Sequence, residues 1–505
     1  MTFEFKREIY ENDPPIRAMD DAEGPGAAVP NDREDSYASY LKQQGLKHDL
    51  SDAGNAERFV AQHGSDVRYV AEWKTWLMWD DQRWKIDGVK KIQELAKETA
   101  KSIHNEASWI ETRSAADSVS SWANQSRNRS KLNAMLELTQ SVEGIARRPA
   151  DFDADHEVVN TASGVIDLRT GELTLHDKDR LLTKVIPVEY DPDAVCPNWD
   201  NFVSDICCGD DEFATWLQRA IGYSFTGSTD EQCFFICHGT GSNGKTTLFE
   251  ILKSVAGDYA GTSDMDAFTK QTNDVRSLEA IGRLRGLRLV TASESAEGKR
   301  FNEAVIKNIT GGDTLQGSAL YGNRYTFVPE FKLWMGVNHP PNARDASHGF
   351  WRRVKVVPFN ARFEGSTLDP QMAAKLSREK PGILRWIVEG AIAWNNDGLG
   401  TCKSVGDASM AYQADQDHLT KFVQSCLIEK LGATIGAREL FNNYERFCES
   451  EKIAAPTEKH FSRLMMDRNF LRRKKNSGMC YENIELNEQE YRRLLGEEID
   501  EENPF

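Results

Sequence analysis

Four short apolar runs punctuate the middle of the chain: "CFFIC" (Cys233 to Cys237), "LRLVTA" (Leu287 to Ala292), "KLWMGV" (Lys332 to Val337) and "RVKVVPF" (Arg353 to Phe359). Helical composition fills the gaps between Glu231 and Phe359, and strands alternating with helices predict a mostly parallel α/β sheet. From about Asn55, "RFVAQHGSDVRYVAEWKTWLMWDDQRWKIDG" predicts a helix and then a hairpin turned at Asp80-Asp81-Gln82. Residues 90–148 are helical in composition. "GVIDLRTGELTLHD" (Gly164 to Asp177) alternates as a hairpin turned at Arg169-Thr170-Gly171, and a helical segment follows from about Trp199 to Ala220. Together these form a mixed α+β N-terminal module, over residues 55–205. Past about Gly400 the chain is helical again and ends in "FLRRKKNSGMCYENIEL", which reads as strand, turn, strand.

A length of 505 residues calls for more than one core. No apolar run approaches the ~18 residues of a membrane span, and "MTFEFKREIYENDPP" lacks the basic-then-apolar order of a secretory signal. The expectation is a protein of the host-cell cytoplasm with no membrane partner. Residues 12–36, "NDPPIRAMDDAEGPGAAVPNDREDS", hold too little apolar surface to order themselves, so 1–54 reads as a disordered or tether segment.

Nine cysteines spread along an acidic chain fit reduced thiols. Cys233 and Cys237 have no second Cys/His pair at zinc spacing and read as buried strand residues. The net charge of -17 argues against a protein coated in nucleic acid but says nothing about a local basic patch. Trp73, Trp76, Trp79 and Trp84 can stack on unpaired bases, although aromatic cross-strand pairing in a small core is the better reading.

The chemistry begins at "CHGTGSNGKTT" (Cys237 to Thr247), between an apolar strand and the helical "LFEILKSV". Gly239, Thr240, Gly241, Ser242, Asn243, Gly244, Lys245, Thr246 and Thr247 contain the spacing G-x-x-x-x-G-K-[ST]. Glycines let backbone N–H groups approach phosphate oxygens, the following helix adds a positive field, Lys245 reaches the terminal phosphates and Thr246 can hold Mg²⁺. ATP and Mg²⁺ are therefore the expected substrate and cofactor.

Phosphoryl transfer is mostly positioning and charge neutralisation, so further parts are needed. Glu294 closes "LRLVTASE", where it can orient or deprotonate water and join Thr246 at the metal; the residue before it is Ser293, so the usual second acid is absent. Asn338 ends "KLWMGVN", ahead of Pro340 and Pro341, in position to sense the terminal phosphate. Arg352 and Arg353 open the strand "RVKVVPF", and one of them can reach a neighbouring subunit's nucleotide.

The order "HGTGSNGKTT", "SE", "IKNITGGD" (Ile306 to Asp313), "GVNHPP" and "FWRR…VPF" resembles the superfamily 3 helicases, and most closely the phage and plasmid primase-helicase family with its poxvirus-type relatives. The leading "GVIDLRTGEL…YDPDAVCPNW" looks like that family's pre-helicase module. The resemblance covers about residues 55 to 495. It implies an AAA+ P-loop NTPase core over 206–400, assembled as a homo-hexamer that encircles one strand of single-stranded or forked DNA and moves 3′ to 5′. On it, Lys245 and Thr246 are the Walker A pair, Glu294 the Walker B acid, Asn338 sensor 1, and Arg353, with Arg352 as second choice, the finger acting in trans. Lys307 is the basic residue of the intervening element.

That family also places a hairpin in the channel. "LQGSALYGNRYTFVP" has strand patterning on both sides of Tyr321-Gly322-Asn323-Arg324, which nominates Arg324 for a phosphate contact and Tyr321 for stacking. A purely structural hairpin, with another basic loop in the pore, is the alternative. Residues 415–495 resemble a C-terminal winged-helix domain in which Lys459, Arg463, Arg468, Arg472, Arg473, Lys474 and Lys475 line the DNA-facing helix and wing, against Asp467 alone; a solvated basic face is the other reading.

Only some 55 residues precede the module, too few for a primase fold, so a separate primase or polymerase is expected as partner. The end, 496–505, is an acidic tail whose Pro504-Phe505 tip looks like those by which bacterial single-stranded DNA-binding proteins recruit partners. It can dock on a host replication protein, fold onto this chain's own basic surface, or stay solvated. The leading expectation is an ATP-dependent DNA helicase in phage, satellite or plasmid replication. The alternative is an ATP-dependent assembly switch, at an origin or in defence, that binds DNA without processive unwinding. A small-molecule P-loop kinase needs neither Arg353 in trans nor a basic wing.

Overall fold

The computed structural model describes residues 48–110, 112–269, 275–293, 299–318, 324–343, 348–416, 418–451, 455–475 and 478–495. Glu294, Tyr321, Pro504 and Phe505 lie outside the described residues, as do 1–47 and the side chain of Arg324. The contacts divide the rest into two compact units, one holding residues up to Leu77 with Ile86–Arg147, the other holding Met78–Lys85 and the chain from Arg148 on.

In the first unit, the Ser51 side chain accepts from the Gly54 amide at 3.1 Å and starts the helix Asp52–His63, three residues ahead of the expected turn to globular structure. Helices Lys91–Ala107, Arg113–Ser126 and Arg129–Thr139 fill the stretch of helical composition, and β1 (Val67–Val70) lies parallel to β4 (Ala146–Arg147). Arg58, 1% exposed, donates to both carboxylate oxygens of Glu106 at 2.6 and 2.7 Å and to the Asp49 carbonyl. Such a bidentate pair fixes one helix on the next, and removing either partner would leave a buried charge. Between β1 and β4 in sequence come β2 (Thr75–Trp79) and β3 (Trp84–Ile86); the turn joining them, which belongs to the second unit, falls where expected, with Asp81 at φ 72° and the Asp80 amide donating to the Arg83 carbonyl.

The second unit opens with the antiparallel order β5 (Val158–Thr161), β6 (Gly164–Asp167), β7 (Leu173–Thr174). Its β6–β7 turn holds Gly171 at φ 76° and donates the Gly171 amide to Asp167. The helical stretch expected over Trp199–Ala220 is two helices, Pro197–Ile206 and Asp211–Phe225. Cys208 and Gly209 take left-handed conformations between them, and the Asp210 side chain caps the second by accepting from the Phe213 amide.

Five parallel strands follow: β8 (Phe234–His238), β9 (Ala260–Asp264), β10 (Leu289–Ser293), β13 (Lys332–Val337) and β14 (Val354–Pro358), in the order β14-β8-β13-β10-β9. An antiparallel pair, β11 (Leu315–Ser318) and β12 (Arg324–Phe327), interrupts them in sequence. The fifth strand, β9, reads "AGTSD" and escapes an apolar-run search because it is an edge strand that needs only one paired side. Phe235 stacks on Trp334 at 4.1 Å in the centre of the sheet, and the Trp334 indole N–H donates to Ser224.

Two buried cations sit at the N-terminal edge of this sheet. Arg288 donates to the carbonyls of Val158, Phe225 and Asp155, and Lys332 Nζ donates to those of Thr226, Ser228 and Glu330. Phe225 and Thr226 end the helix Asp211–Phe225, whose unpaired carbonyls and negative dipole end these cations satisfy.

Beyond the sheet run helices Met372–Arg378, Lys380–Asp397, Lys403–Gln416 and His418–Cys426. The chain then forms a three-stranded antiparallel sheet, ordered β15 (Leu427–Gly436), β17 (Gly478–Leu486), β16 (Arg472–Lys475), packed on helices Ala437–Ser450 and Glu458–Asp467 through Phe441, Tyr444, Phe461 and Tyr481. The expected strand, turn, strand is β16 and β17; β15 and the helix Glu488–Leu494 add to it.

All nine cysteines are free, and Cys233 and Cys237 are buried as expected, burial pushing the Cys233 thiol up to about 12. Trp84 is 1% exposed and its indole N–H donates to the Lys178 carbonyl, so it belongs to the core. Among the described residues no group of His, Cys, Asp or Glu is arranged to hold a metal ion by itself, and no helix is long and apolar enough to cross a membrane.

Candidate functional site

β8 ends at His238 and the helix Lys245–Ala256 begins seven residues later, so the loop must reverse direction in very few steps. It does so with Gly241 at φ 105°, Ser242 at φ 45° and Gly244 at φ 87°. Left-handed residues in succession turn backbone N–H groups into one concavity, the form of an anion nest. No side chain caps the helix, so the positive end of its dipole and its unpaired N–H groups face the same loop.

Gly239 is fixed by crowding: a Cβ there would lie 2.2 Å from Asn243 Nδ2 and 2.4 Å from the Phe359 carbonyl oxygen. Asn243, 3% exposed, donates Nδ2 to that same carbonyl at 3.2 Å and ties the loop to the end of β14. Thr246 is exposed at the start of the helix.

Lys245 is 8% exposed and donates Nζ to the Gly239 carbonyl at 2.5 Å and to Asn338 Oδ1 at 3.3 Å. Burial holds its ammonium pKa below the usual lysine value. The sheet register makes this contact: Val337 pairs with His238 across β13 and β8, so Asn338 emerges beside the loop. His238 Nε2 donates to the Asn338 carbonyl at 3.2 Å, and burial lowers the imidazole pKa, with Lys245 and His339 adding repulsion. Sequence reasoning passed over His238 because a strand-end histidine has no motif of its own.

Ser293, at the end of β10, pairs with Gly336 of β13 and Asp264 of β9. The residue expected as the catalytic acid, Glu294, thus follows a strand that ends at this edge, although it lies outside the described residues. Asp264 is an exposed acid at the same edge that the sequence did not single out, because β9 carries no apolar run to flag its end.

Arg353 lies elsewhere. Its carbonyl accepts from the Phe234 amide and Val354 pairs with Phe234, at the start of β8, whereas Pro358 pairs with His238 at the loop. Five residues of strand, about 16 Å, separate Arg353 from that edge. Its Nε donates to Thr310 Oγ1 at 3.0 Å and Nη1 donates to the Gly349 carbonyl. Burial and the neighbouring Arg352 press the guanidinium pKa down while Asp313 opposes them. Arg352 is exposed and donates to Gln232 Oε1 at 2.5 Å.

Lys307 and Thr310 share the helix Glu303–Gly311, which leads through Gly312 (φ 75°) into β11. β11 and β12 form the expected hairpin, Ser318 opposite Arg324, and Tyr325 anchors it by donating to the Gly282 carbonyl at 2.8 Å.

In the C-terminal sheet, Lys459 and Arg463 are exposed on the helix Glu458–Asp467, and Arg473, Lys474 and Lys475 are exposed on β16, with Arg472 partly buried. The expected patch is assembled but less bare than its sequence suggests. Glu482 of β17 lies 3.4 Å from Arg473 and 3.5 Å from Lys475, because a cross-strand neighbour is invisible in a linear count of charges. Arg468 is turned inward, donating to Thr420 and the Leu464 carbonyl.

Residues 56–208 match the family described as D5 N terminal like, and residues 237–353 match a family of unknown function, DUF5906. A protein named "Putative helicase" from Acanthamoeba polyphaga mimivirus is 23% identical over 415 residues, 74% of this chain and 43% of the relative. Proteins of the same name from Frog virus 3 and Invertebrate iridescent virus 6 are 26% and 23% identical over 45% and 50% of this chain, covering 25% and 27% of their own lengths. The chain therefore spans less than half the length of these curated relatives. A solved apo structure of the NrS-1 C terminal region aligns over 83% of this chain and 96% of its own at 10% identity, with a TM-score of 0.43. The chain thus carries a D5 N terminal like segment and a DUF5906 segment and is similar to viral proteins named as putative helicases, in line with its resemblance to the primase-helicase family of the superfamily 3 type.

Proposed function

We propose that this protein is an ATP-dependent DNA helicase, built as an AAA+ ring motor with a C-terminal winged-helix domain and acting in phage, satellite or plasmid replication. One observation carries the reading: Lys245 and Asn338 meet at one edge of the parallel sheet, while Arg353 stands at the opposite edge of the same sheet. An arginine there cannot serve its own nucleotide loop, and it is suited to serve a neighbour's.

The nest of Gly241, Ser242 and Gly244 and the uncapped helix behind it fit a nucleoside triphosphate. Lys245 neutralises its terminal phosphates, Asn338 orients them, and Glu294 activates water. Thr246, with Glu294, would hold Mg²⁺, which supplies charge neutralisation on the phosphates. Arg353 of the next subunit, with Arg352 as the second choice, completes the site in the proposed hexamer. Arg324 and Tyr321 on the hairpin, with Lys307 behind them, contact single-stranded DNA moving 3′ to 5′, and Lys459, Arg463 and Arg472 to Lys475 contact duplex. A primase or polymerase and, through Pro504-Phe505, a host replication protein are the proposed partners.

An ATPase and strand-displacement assay with and without single-stranded DNA tests the reading. Lys245→Ala and Arg353→Ala abolish hydrolysis; Arg324→Ala keeps basal hydrolysis and loses DNA stimulation. ATP turnover without unwinding by the wild type identifies an assembly switch instead.

A further inference from the structure

The reading of Arg353 as the residue that completes a neighbour's site leaves open what aims it. On that reading, we propose that Thr310 is its positioning residue, so that the helix carrying Lys307 and leading into the β11–β12 hairpin sets where the guanidinium points.

The hydrogen-bond inventory supports this assignment. A threonine hydroxyl has one proton and two lone pairs. Thr310, 4% exposed, donates its proton to the Ile306 carbonyl one turn back at 2.7 Å, which fixes its rotamer relative to the helix backbone. The free lone pair is then presented in a set direction, and Arg353 Nε donates into it at 3.0 Å. The second hold is the Gly349 carbonyl, which takes Nη1. Two N–H groups are thereby committed to orientation, and the remainder of the five-donor fork stays available for an anion. A Cβ at Gly311 would stand 3.8 Å from Nη2 and 3.4 Å from Asp313 Oδ2, ordinary contact distances that would not block the fork.

The connection to the hairpin is short. Gly311, Gly312, Asp313 and Thr314 alone separate Thr310 from Leu315, the first residue of β11. A displacement of the hairpin transmitted to this helix moves the acceptor on which Arg353 rests. Thr310 touches no reacting atom in this scheme; it acts through Arg353.

A buried threonine bonded to its own helix can also be mere packing, so the test must separate the two. Steady-state ATP hydrolysis by the full-length assembly is measured for the wild type, Thr310→Val, Thr310→Ala, Thr310→Ser and Arg353→Ala, with assembly size and thermal midpoint as controls. Valine keeps the shape and removes the acceptor. Its expected effect is a fall in kcat of about ten-fold with KM within about two-fold, the scale of one lost charged hydrogen bond. Thr310→Ala behaves alike, and serine restores kcat to within about two-fold because it keeps the hydroxyl. Wild-type kcat in both Thr310→Val and Thr310→Ala, or a fall that Thr310→Ser does not reverse, overturns the assignment while the finger reading stands. Normal hydrolysis by Arg353→Ala overturns both.

Discussion

Lys245 Nζ lies 3.3 Å from Asn338 Oδ1, joining the first residue of one helix to the end of a neighbouring strand 93 positions later. The contact exists because β13 is hydrogen-bonded directly to β8, so that a residue one step past each strand arrives at the same edge. Burial disfavours the ammonium there, and the Gly239 carbonyl and Asn338 Oδ1 offset part of that cost.

Asn338→Ala removes one of the two groups that orient Lys245. A hydrogen bond to a charged group contributes roughly 1.5–3 kcal/mol, so kcat for ATP hydrolysis is expected to fall about 10- to 150-fold. Nucleotide binding is expected to change by only a few-fold, because in the proposed site the loop and helix N-terminus hold the phosphates. Paired measurements of kcat and nucleotide Kd check this: equal losses in both would show that Asn338 supports binding and not the chemical step.

His238 makes the same edge sensitive to acid. Its pKa in the folded protein is lowered by burial, and Lys245 and His339 oppose a further positive charge. Below the ordinary histidine value of 6.5 the unfolded chain therefore takes up a proton before the native one does. Stability is fully present above 6.5, declines as pH falls from there, and levels off once pH has passed below the lowered native pKa. His238→Gln keeps a donor for the Asn338 carbonyl but does not titrate. Urea melts at successive pH values should show this decline in the wild type and a flatter profile in the variant; identical profiles would show that His238 contributes nothing.

The positions of the functional loop, the β11–β12 hairpin and the strand-end Asn338 were legible in sequence because each rests on local rules: glycine spacing, alternation, and an apolar run closed by prolines. What was not legible depends on pairing between distant segments. β9 is too polar to announce itself, and only its register with β10 brings Asp264 to the edge. Glu482 counted as one acid among many until β17 set it opposite the basic strand. The helix expected over Trp199–Ala220 divides at Cys208 and Gly209, where two left-handed residues and an aspartate cap override uniform helical composition. Arg353 was legible as a motif, but its distance from the loop follows from the parallel register alone.

Arg288 should prove among the costliest single residues to replace. It is 2% exposed and supplies donors to three carbonyls in two separate segments of the unit, over the face of Tyr259 at 4.8 Å. Arg288→Met fills the space and leaves Val158, Phe225 and Asp155 without those donors. The expected destabilisation is roughly 3 kcal/mol or more, the range for breaking a buried hydrogen-bond network. A lower urea midpoint reads it out, and a midpoint equal to wild type would mean that water replaces the guanidinium.

On β16, cross-strand pairing divides four consecutive basic residues into unequal classes. Glu482 lies within 3.5 Å of both Arg473 and Lys475, whereas Lys474 is exposed and has no ion pair among the described residues. If this strand contacts DNA phosphates, Lys474 is the residue whose charge needs no rearrangement to do so. Each phosphate contact adds about 0.9 to the slope of log K against log salt. Lys474→Ala should therefore weaken duplex binding and reduce that slope by about one, and Arg473→Ala should do less because its charge is already shared with Glu482. Glu482→Gln should strengthen binding and steepen the slope by releasing both partners. Fluorescence anisotropy across a salt series distinguishes these outcomes: equal effects of Lys474→Ala and Arg473→Ala would show that the ion pairs dissolve on binding, and no effect from any of the three would place the duplex on another face.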